Sequence, residues 1–104
     1  MAKINALIKE KVGLFLERLI DNGITPEKAY IFGSYAKGIE NRLSDIDVAI
    51  ISSELGDDRF AERIRLMKIA ISVDSRIEPV PFNSATFIEE DPLVWEILTT
   101  GTLL

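Results

Sequence analysis

The sequence predicts an α/β fold in which helices pack on a small mixed sheet. The N-terminal segment has helical periodicity, two short apolar runs have the residue types of strands, and a second helical pattern follows them. At 104 residues the chain has room for one hydrophobic core. It contains no internal repeat and no linker-like tract, so residues 1–104 are predicted to form a single domain.

The first elements are a helix, a strand and a tight connection. Apolar residues at helical spacing predict the helix: Ile4, Leu7, Ile8, Val12, Phe15, Leu16, Leu19 and Ile20. Asn22-Gly23 supplies its end, and Gly13 weakens its middle by about 1 kcal/mol relative to alanine. Ala29–Phe32 is then a predicted strand. Ser34–Gly38 is either a tight turn or the first turn of a short helix, with Ser34 near its N-cap.

A polar connection, Glu40–Ser44, leads to a second predicted strand, Asp45–Ile51. Because side chains alternate along a strand, one face should carry the even-numbered apolar residues and the other the acidic ones. The first set is Ile46, Val48 and Ile50, and the second is Asp45, Asp47, Ala49 and Ile51.

The second half predicts a helix, a strand and a last helix. Helical spacing of apolar residues covers Asp58–Ser72. Two prolines exclude a helix in Arg76–Phe82 and favour an edge strand. Pro92 and Gly101 are typical of the first and last positions of a helix. An apolar cluster near the C-terminus is predicted to belong to the core rather than to a partner surface: Leu93, Val94, Trp95, Ile97, Leu98 and Leu103.

The composition excludes several kinds of site. With no His and no Cys, the chain has no imidazole base, no thiol nucleophile and no His or Cys metal ligand. Any metal would have oxygen ligands, which favours a hard cation such as Mg²⁺. The net charge, 12 − 17 = −5, argues against direct nucleic-acid binding. The chain has neither a membrane-spanning run nor a signal-peptide pattern, so we expect it in the cytoplasm.

The informative motif is Gly33-Ser34, then ten residues (35–44), then Asp45-Ile46-Asp47. Aspartates at i and i+2 of a strand share one face, where they can bind one cation or two adjacent ones. A glycine at a strand end permits close approach of a ligand, and backbone N–H groups there attract phosphate. Lys37 lies near the same loop. The combination predicts phosphoryl or nucleotidyl transfer.

Each half of this motif also has an ordinary interpretation. A Gly-Ser pair alone usually marks a turn, and Asp-x-Asp alone usually marks an exposed strand face. Aspartate is a poor strand former, however, and two of them among Ile, Val and Ala are locally unfavourable. Such departures from local preference are expected at functional sites. The motif is not a Walker A loop, because no Gly-Lys-Ser/Thr follows the glycine.

The segments GSYAKG (Gly33–Gly38) and SDIDVAI (Ser44–Ile50) resemble the signature of the minimal nucleotidyltransferases of the DNA polymerase beta-like superfamily. The resemblance extends from Ala29 to the C-terminal PLVWEILTTGTLL. It implies the polymerase beta-like fold and ATP as substrate. By the same resemblance, Asp45 and Asp47 would hold two Mg²⁺ ions, and Gly33 and Ser34 would bind the β- and γ-phosphates.

The family pattern also implies a third acid on a later strand. We assign it to Glu78, with Asp74 as the alternative. Many relatives have Asp at this position, and the longer Glu side chain changes the expected metal geometry. Where relatives often have Arg, this chain has Lys37, which neutralises phosphate but does not bind it bidentately. Asp45, Asp47 and Glu78 are thus the predicted catalytic and metal residues, and Gly33, Ser34 and Lys37 the predicted nucleotide-binding residues.

Small members of this superfamily commonly accompany a helical HEPN-domain toxin. The resemblance implies that the chain is an antitoxin that transfers AMP from ATP to a tyrosine hydroxyl of such a toxin. A homodimer or a hetero-oligomer is compatible with this hypothesis. Two alternatives are a non-catalytic antitoxin that acts by surface complementarity and a small-molecule nucleotidyltransferase of the antibiotic-modifying type.

Overall fold

The computed structural model describes residues 4–40 and 44–104, so the Asn41–Leu43 part of the predicted polar connection lies outside the described residues. The elements in chain order are α1 (Ala6–Asp21), β1 (Lys28–Phe32), α2 (Ser34–Lys37), β2 (Ile46–Ile51), α3 (Arg59–Ile71), β3 (Ile77–Phe82), α4 (Pro92–Thr100) and β4 (Thr102–Leu103). No helix in the described ranges is long and apolar enough to cross a membrane.

The strands form one mixed sheet in the order β3-β2-β1-β4. β1 pairs antiparallel with β2 and with β4, whereas β2 pairs parallel with β3. The parallel pair needs a crossover, and α3 supplies it. As a result the C-terminal end of β1 lies at the same edge of the sheet as the N-terminal ends of β2 and β3.

The sheet has a buried core on each face. On one face, Ile46, Val48 and Ile50 of β2 share a cluster with side chains of α1 and α3. On the other face, Ala49 and Ile51 share a cluster with side chains of α4. The predicted alternation of β2 is therefore confirmed, and it places Asp47 on the α4 face.

The starts of two helices are stabilised by aspartate caps that the sequence analysis did not predict, and one of these helices opens with the predicted proline. Asp58 and Asp91 accept hydrogen bonds from the first turns of α3 and α4 through their side chains, and Pro92 opens α4. Ser34–Lys37 is a short helix rather than a turn. The strand β4 is missing from the sequence prediction, because two residues carry no readable periodicity.

Strand β3 lies at the sheet edge, as its two prolines predict. The Arg76 carbonyl accepts from the N–H of Ile46 in β2 at 2.8 Å, and the Phe82 carbonyl accepts from the N–H of Ser52, directly after β2, at 3.0 Å. The backbone groups of the alternate residues, which include Pro79 and Pro81, therefore face away from β2. The prolines occupy positions where the sheet needs no donor, and they keep a further strand from pairing there.

The prediction for the C-terminal apolar cluster is wrong for four of its six residues. Val94 and Ile97 are fully buried, but Leu93, Trp95, Leu98 and Leu103 are exposed, Trp95 by 58%. For the three residues of α4 the reason is that this helix packs on the sheet through one face only, while its sequence is apolar on both. Leu103 lies on β4, a two-residue strand at the sheet edge.

Candidate active site

The motif residues meet at the sheet edge where β1 ends and β2 and β3 begin. Phe32, the last residue of β1, is the register partner of Asp47, and Asp47 is the register partner of Glu78. Register partners on adjacent strands are about 5 Å apart and point to the same face. The side chains of Asp47 and Glu78 therefore start from neighbouring positions on the α4 face, and Asp47 lies next to the Gly33 turn.

Gly33 is required by its own conformation and by its neighbour. Its φ of 73° and ψ of −146° lie in a region that residues with a Cβ rarely adopt. A Cβ at this position would overlap Oδ2 of Asp47 and lie 3.2 Å from its Cγ. The missing side chain lets the Asp47 carboxylate lie against the turn.

Gly33 is also the N-cap of α2, so Ser34 is the first helical residue rather than the cap. Gly33 has no side chain with which to cap this end. The N–H of Lys37 donates to the Gly33 carbonyl at 3.1 Å, whereas N–H groups of a first helical turn have no acceptor within the helix. Gly38 ends α2 in the left-handed conformation and turns the chain back toward β2.

Asp47 is half-buried and lies in a negative environment. Burial raises the pKa of its carboxyl above the usual value, and the charges of Asp45, Glu78 and Glu96 raise it further, while Arg63 lowers it. Carboxylates gathered in this way repel one another until a cation neutralises them. The arrangement is thus unfavourable for the free protein and favourable for cation binding.

Two basic side chains partly neutralise the site. Nη2 of Arg63, on α3, donates to Oε2 of Glu78 at 3.1 Å. Nζ of Lys37 lies 4.0 Å from Oε1 of Glu96, on α4. Sequence reasoning missed Arg63 and Glu96. Glu96 had a detectable signal, since it is the one charged residue within Leu93–Leu98. Arg63 had none, because its helix is rich in arginine.

Asp74, the alternative third acid, is committed elsewhere. It accepts hydrogen bonds from Nζ of Lys11 at 2.8 Å and from Nη2 of Arg76 at 3.0 Å. Hydrogen bonds from Arg76 hold the pKa of this carboxyl well below its usual range, with a smaller contribution from Lys11. Asp74 therefore links α1 to the start of β3, and the acid that lies beside Asp47 is Glu78.

The donor set suits a hard cation, because its ligating atoms are carboxylate oxygens. Within residues 4–40 and 44–104, however, no three acidic side chains lie close enough to hold one metal ion. Asp45 is exposed just before β2, and Glu78 is bound by Arg63. Metal binding by Asp45, Asp47 and Glu78 together stays a prediction, and it requires their side chains to converge.

Comparison with known proteins defines the class. Residues 16–104 match the family described as polymerase beta, nucleotidyltransferase. The chain therefore belongs to this family, in agreement with the motif. A putative nucleotidyltransferase from Sulfolobus solfataricus, 20% identical with a TM-score of 0.52 over 99% of this chain and 89% of that one, has the same fold.

Individual relatives within this family narrow the comparison to protein adenylyltransferases and toxin–antitoxin complexes. The chain is 32% identical over 89 residues to the protein adenylyltransferase MntA of Shewanella oneidensis. The aligned region is 86% of this chain and 60% of that protein, so the chain spans less than two thirds of the length of this relative. A crystal structure of a toxin–antitoxin with AMP-PNP is 30% identical, with a TM-score of 0.65 over 90% of this chain and 69% of that one. A toxin–antitoxin MntA–HpeT mutant structure is also 30% identical, with a TM-score of 0.64 over 89% and 70%.

Proposed function

We propose that this chain is an antitoxin that transfers AMP from ATP to a hydroxyl group, that of a tyrosine on a partner toxin of the HEPN class. The observation that carries the proposal is the pairing of Asp47 with Glu78 on adjacent strands, where both side chains lie on one face of the sheet and Asp47 lies against Gly33. Similarity to a protein adenylyltransferase and to toxin–antitoxin complexes, one with AMP-PNP, supports the choice of nucleotide and partner.

The proposed reaction forms a bond between the acceptor oxygen and the α-phosphorus of ATP. The bond from that phosphorus to the bridging oxygen breaks, and pyrophosphate leaves with the electron pair. Glu78 accepts the hydroxyl proton, directly or through a group that it orients. The products are the AMP ester of the acceptor and pyrophosphate, so atoms and charges balance without an oxidant or reductant.

Each residue of the site has a distinct task in this proposal. Asp45 and Asp47 would hold Mg²⁺, with Glu78 as the third ligand. Bound Mg²⁺ neutralises triphosphate charge and stabilises the charge that develops on the leaving group. Gly33 lets the nucleotide approach the backbone, and the Ser34 hydroxyl together with first-turn N–H groups of α2 binds phosphate oxygens. Lys37 would exchange Glu96 for phosphate when the nucleotide enters.

The test is transfer of label from ATP to protein. We expect label from α-phosphate-labelled ATP, and none from γ-labelled ATP, on a tyrosine of a HEPN-class toxin incubated with this chain. Asp47→Asn should abolish labelling, whereas the matched change Asp57→Asn, in an exposed loop, should not. Label from the γ-phosphate would indicate phosphoryl transfer instead. Absence of label with any of the four nucleoside triphosphates would contradict transferase activity.

A non-catalytic antitoxin is the second candidate, and exposed apolar side chains of α4 and β4 favour it. Trp95, Leu98 and Leu103 present exposed apolar surface of the kind that mediates protein contacts. The double variant Asp45→Asn/Asp47→Asn separates the two candidates. If the variant neutralises the toxin as well as the unmodified chain does, surface binding is sufficient and AMP transfer is not the mechanism.

A further inference from the structure

The contact between Arg63 and Glu78 has no role in the reaction described so far. Helix α3 runs beside the outer strand β3 and places two arginines, one helical turn apart, along it. Arg59 lies over the Phe82 ring, 4.7 Å from its centroid, and Arg63 donates to Glu78. Phe82 belongs to the α4-face core, so these arginine side chains reach around the sheet edge to the face that carries Asp47.

Glu78 needs an orienting partner because its side chain is long and partly exposed. Its exposed fraction is 28%, and glutamate loses substantial rotamer freedom when it is fixed in one position. The bond from Arg63 engages Oε2 only. A carboxylate has a second oxygen, so Glu78 can stay bound to Arg63 while Oε1 is directed toward the site.

We propose that Arg63 is a positioning residue, which holds Glu78 through Oε2 so that its other oxygen meets the cation that accompanies the nucleotide. This inference rests on the proposed function and extends it. Groups that hydrogen-bond metal ligands from behind typically contribute about 10–100-fold to metal affinity or activity. A planar guanidinium on a helix is well suited to this task, because it restricts the direction of the carboxylate.

The chain offers a matched control. Arg65 lies on the same helix, with 48% of its side chain exposed against 51% for Arg63, and it pairs with Glu62 at 3.7 Å. Arg63→Gln and Arg65→Gln therefore remove the same charge from similarly exposed positions. Arg63→Lys keeps the charge and one donor, and both Arg63 variants should unfold at nearly the temperature of the unmodified chain.

The experiment measures binding of Mn²⁺ with α,β-methylene ATP, by calorimetric titration, in addition to AMP transfer. We expect Arg63→Gln to weaken Mn²⁺ binding and to lower kcat by about 10–100-fold, with Arg63→Lys in between and Arg65→Gln unchanged. In a Glu78→Gln background, Arg63→Gln should lower Mn²⁺ affinity and kcat by less than about twofold, since the two residues act as one unit.

Three results would overturn the role of Arg63. Mn²⁺ binding could be unchanged in Arg63→Gln, or it could be tighter, which would make Arg63 a competitor of the cation. Arg63→Gln could also lower Mn²⁺ affinity by the same factor in the Glu78→Gln background, which would mean that Arg63 contacts the nucleotide directly. All three leave the proposed function intact. An unmodified chain that binds no Mn²⁺ with the nucleotide analogue would contradict the proposed metal site itself, and the role of Arg63 with it.

Discussion

Replacement of Gly33 by alanine tests how the site is built into the fold. A residue with a Cβ at φ 73° and ψ −146° costs about 1–3 kcal/mol in backbone strain. The overlap with Oδ2 of Asp47 adds about 1–3 kcal/mol, because the carboxylate or the turn must move. We expect Gly33→Ala to lower the free energy of unfolding by about 2–6 kcal/mol, a large part of the stability of a small domain.

Urea denaturation followed by circular dichroism measures this loss, and two further variants divide it. In an Asp47→Ala background the overlap disappears, so Gly33→Ala should cost only the backbone part, about 1–3 kcal/mol. Gly13→Ala is the matched control, since nothing lies within 4 Å of a Cβ there and the residue is inside α1. It should gain about 0.5–1 kcal/mol. If Gly33→Ala were as stable as the unmodified chain, or cost the same without Asp47, the described packing would be wrong.

Three further predictions concern charge and capping. In metal-free buffer at pH 7, Asp47→Asn should raise the unfolding temperature, because the raised pKa of Asp47 means that its ionised form destabilises the fold. This gain in stability should vanish at pH values below the pKa of an unfolded aspartate. Equal stability of the two proteins at pH 7 would contradict the described electrostatics. Asp74→Asn should lower the free energy of unfolding by about 2 kcal/mol at pH 7, because Lys11 and Arg76 Nη2 lose the carboxylate oxygen Oδ2 as acceptor. Since folding lowers the pKa of Asp74, this difference from the unmodified chain should persist at neutral pH and shrink as the pH falls below about 4. Asp91→Ala should cost about 1 kcal/mol by removing the cap of α4, as measured by thermal denaturation, and the loss should be absent in Asp91→Asn.

The sequence predicted most of the fold because the elements that matter obey strong local rules. The first helix and the second strand have clear periods, and prolines mark both the edge strand and the start of the last helix. The register of β2 with β3 is not a local property, so the pairing of Asp47 with Glu78 across the two strands could only be expected from the family pattern. The outcome for Trp95 shows the same limit, since apolar character alone does not say which face of a helix is covered.

For the candidate site, the sequence predicted the acids and the turn but not the basic residues that lie beside them. Arg63 reaches Glu78 from a different element, fifteen residues away in the chain. Glu96 approaches Lys37 only because α4 packs over this face. The choice between Asp74 and Glu78 as the third acid depends on which basic residues each one binds in the folded protein, and the sequence does not contain this information. Long-range pairing of charges thus accounts for most of what the sequence left open.

The most direct test of the account is a crystal structure of the chain with Mn²⁺ and α,β-methylene ATP, with the metal located by its anomalous scattering. We expect an anomalous peak about 2.1 Å from a carboxylate oxygen of Asp47, with the triphosphate against Gly33 and Ser34. A nucleotide bound away from this sheet edge, or Mn²⁺ with no contact to Asp47, would contradict it.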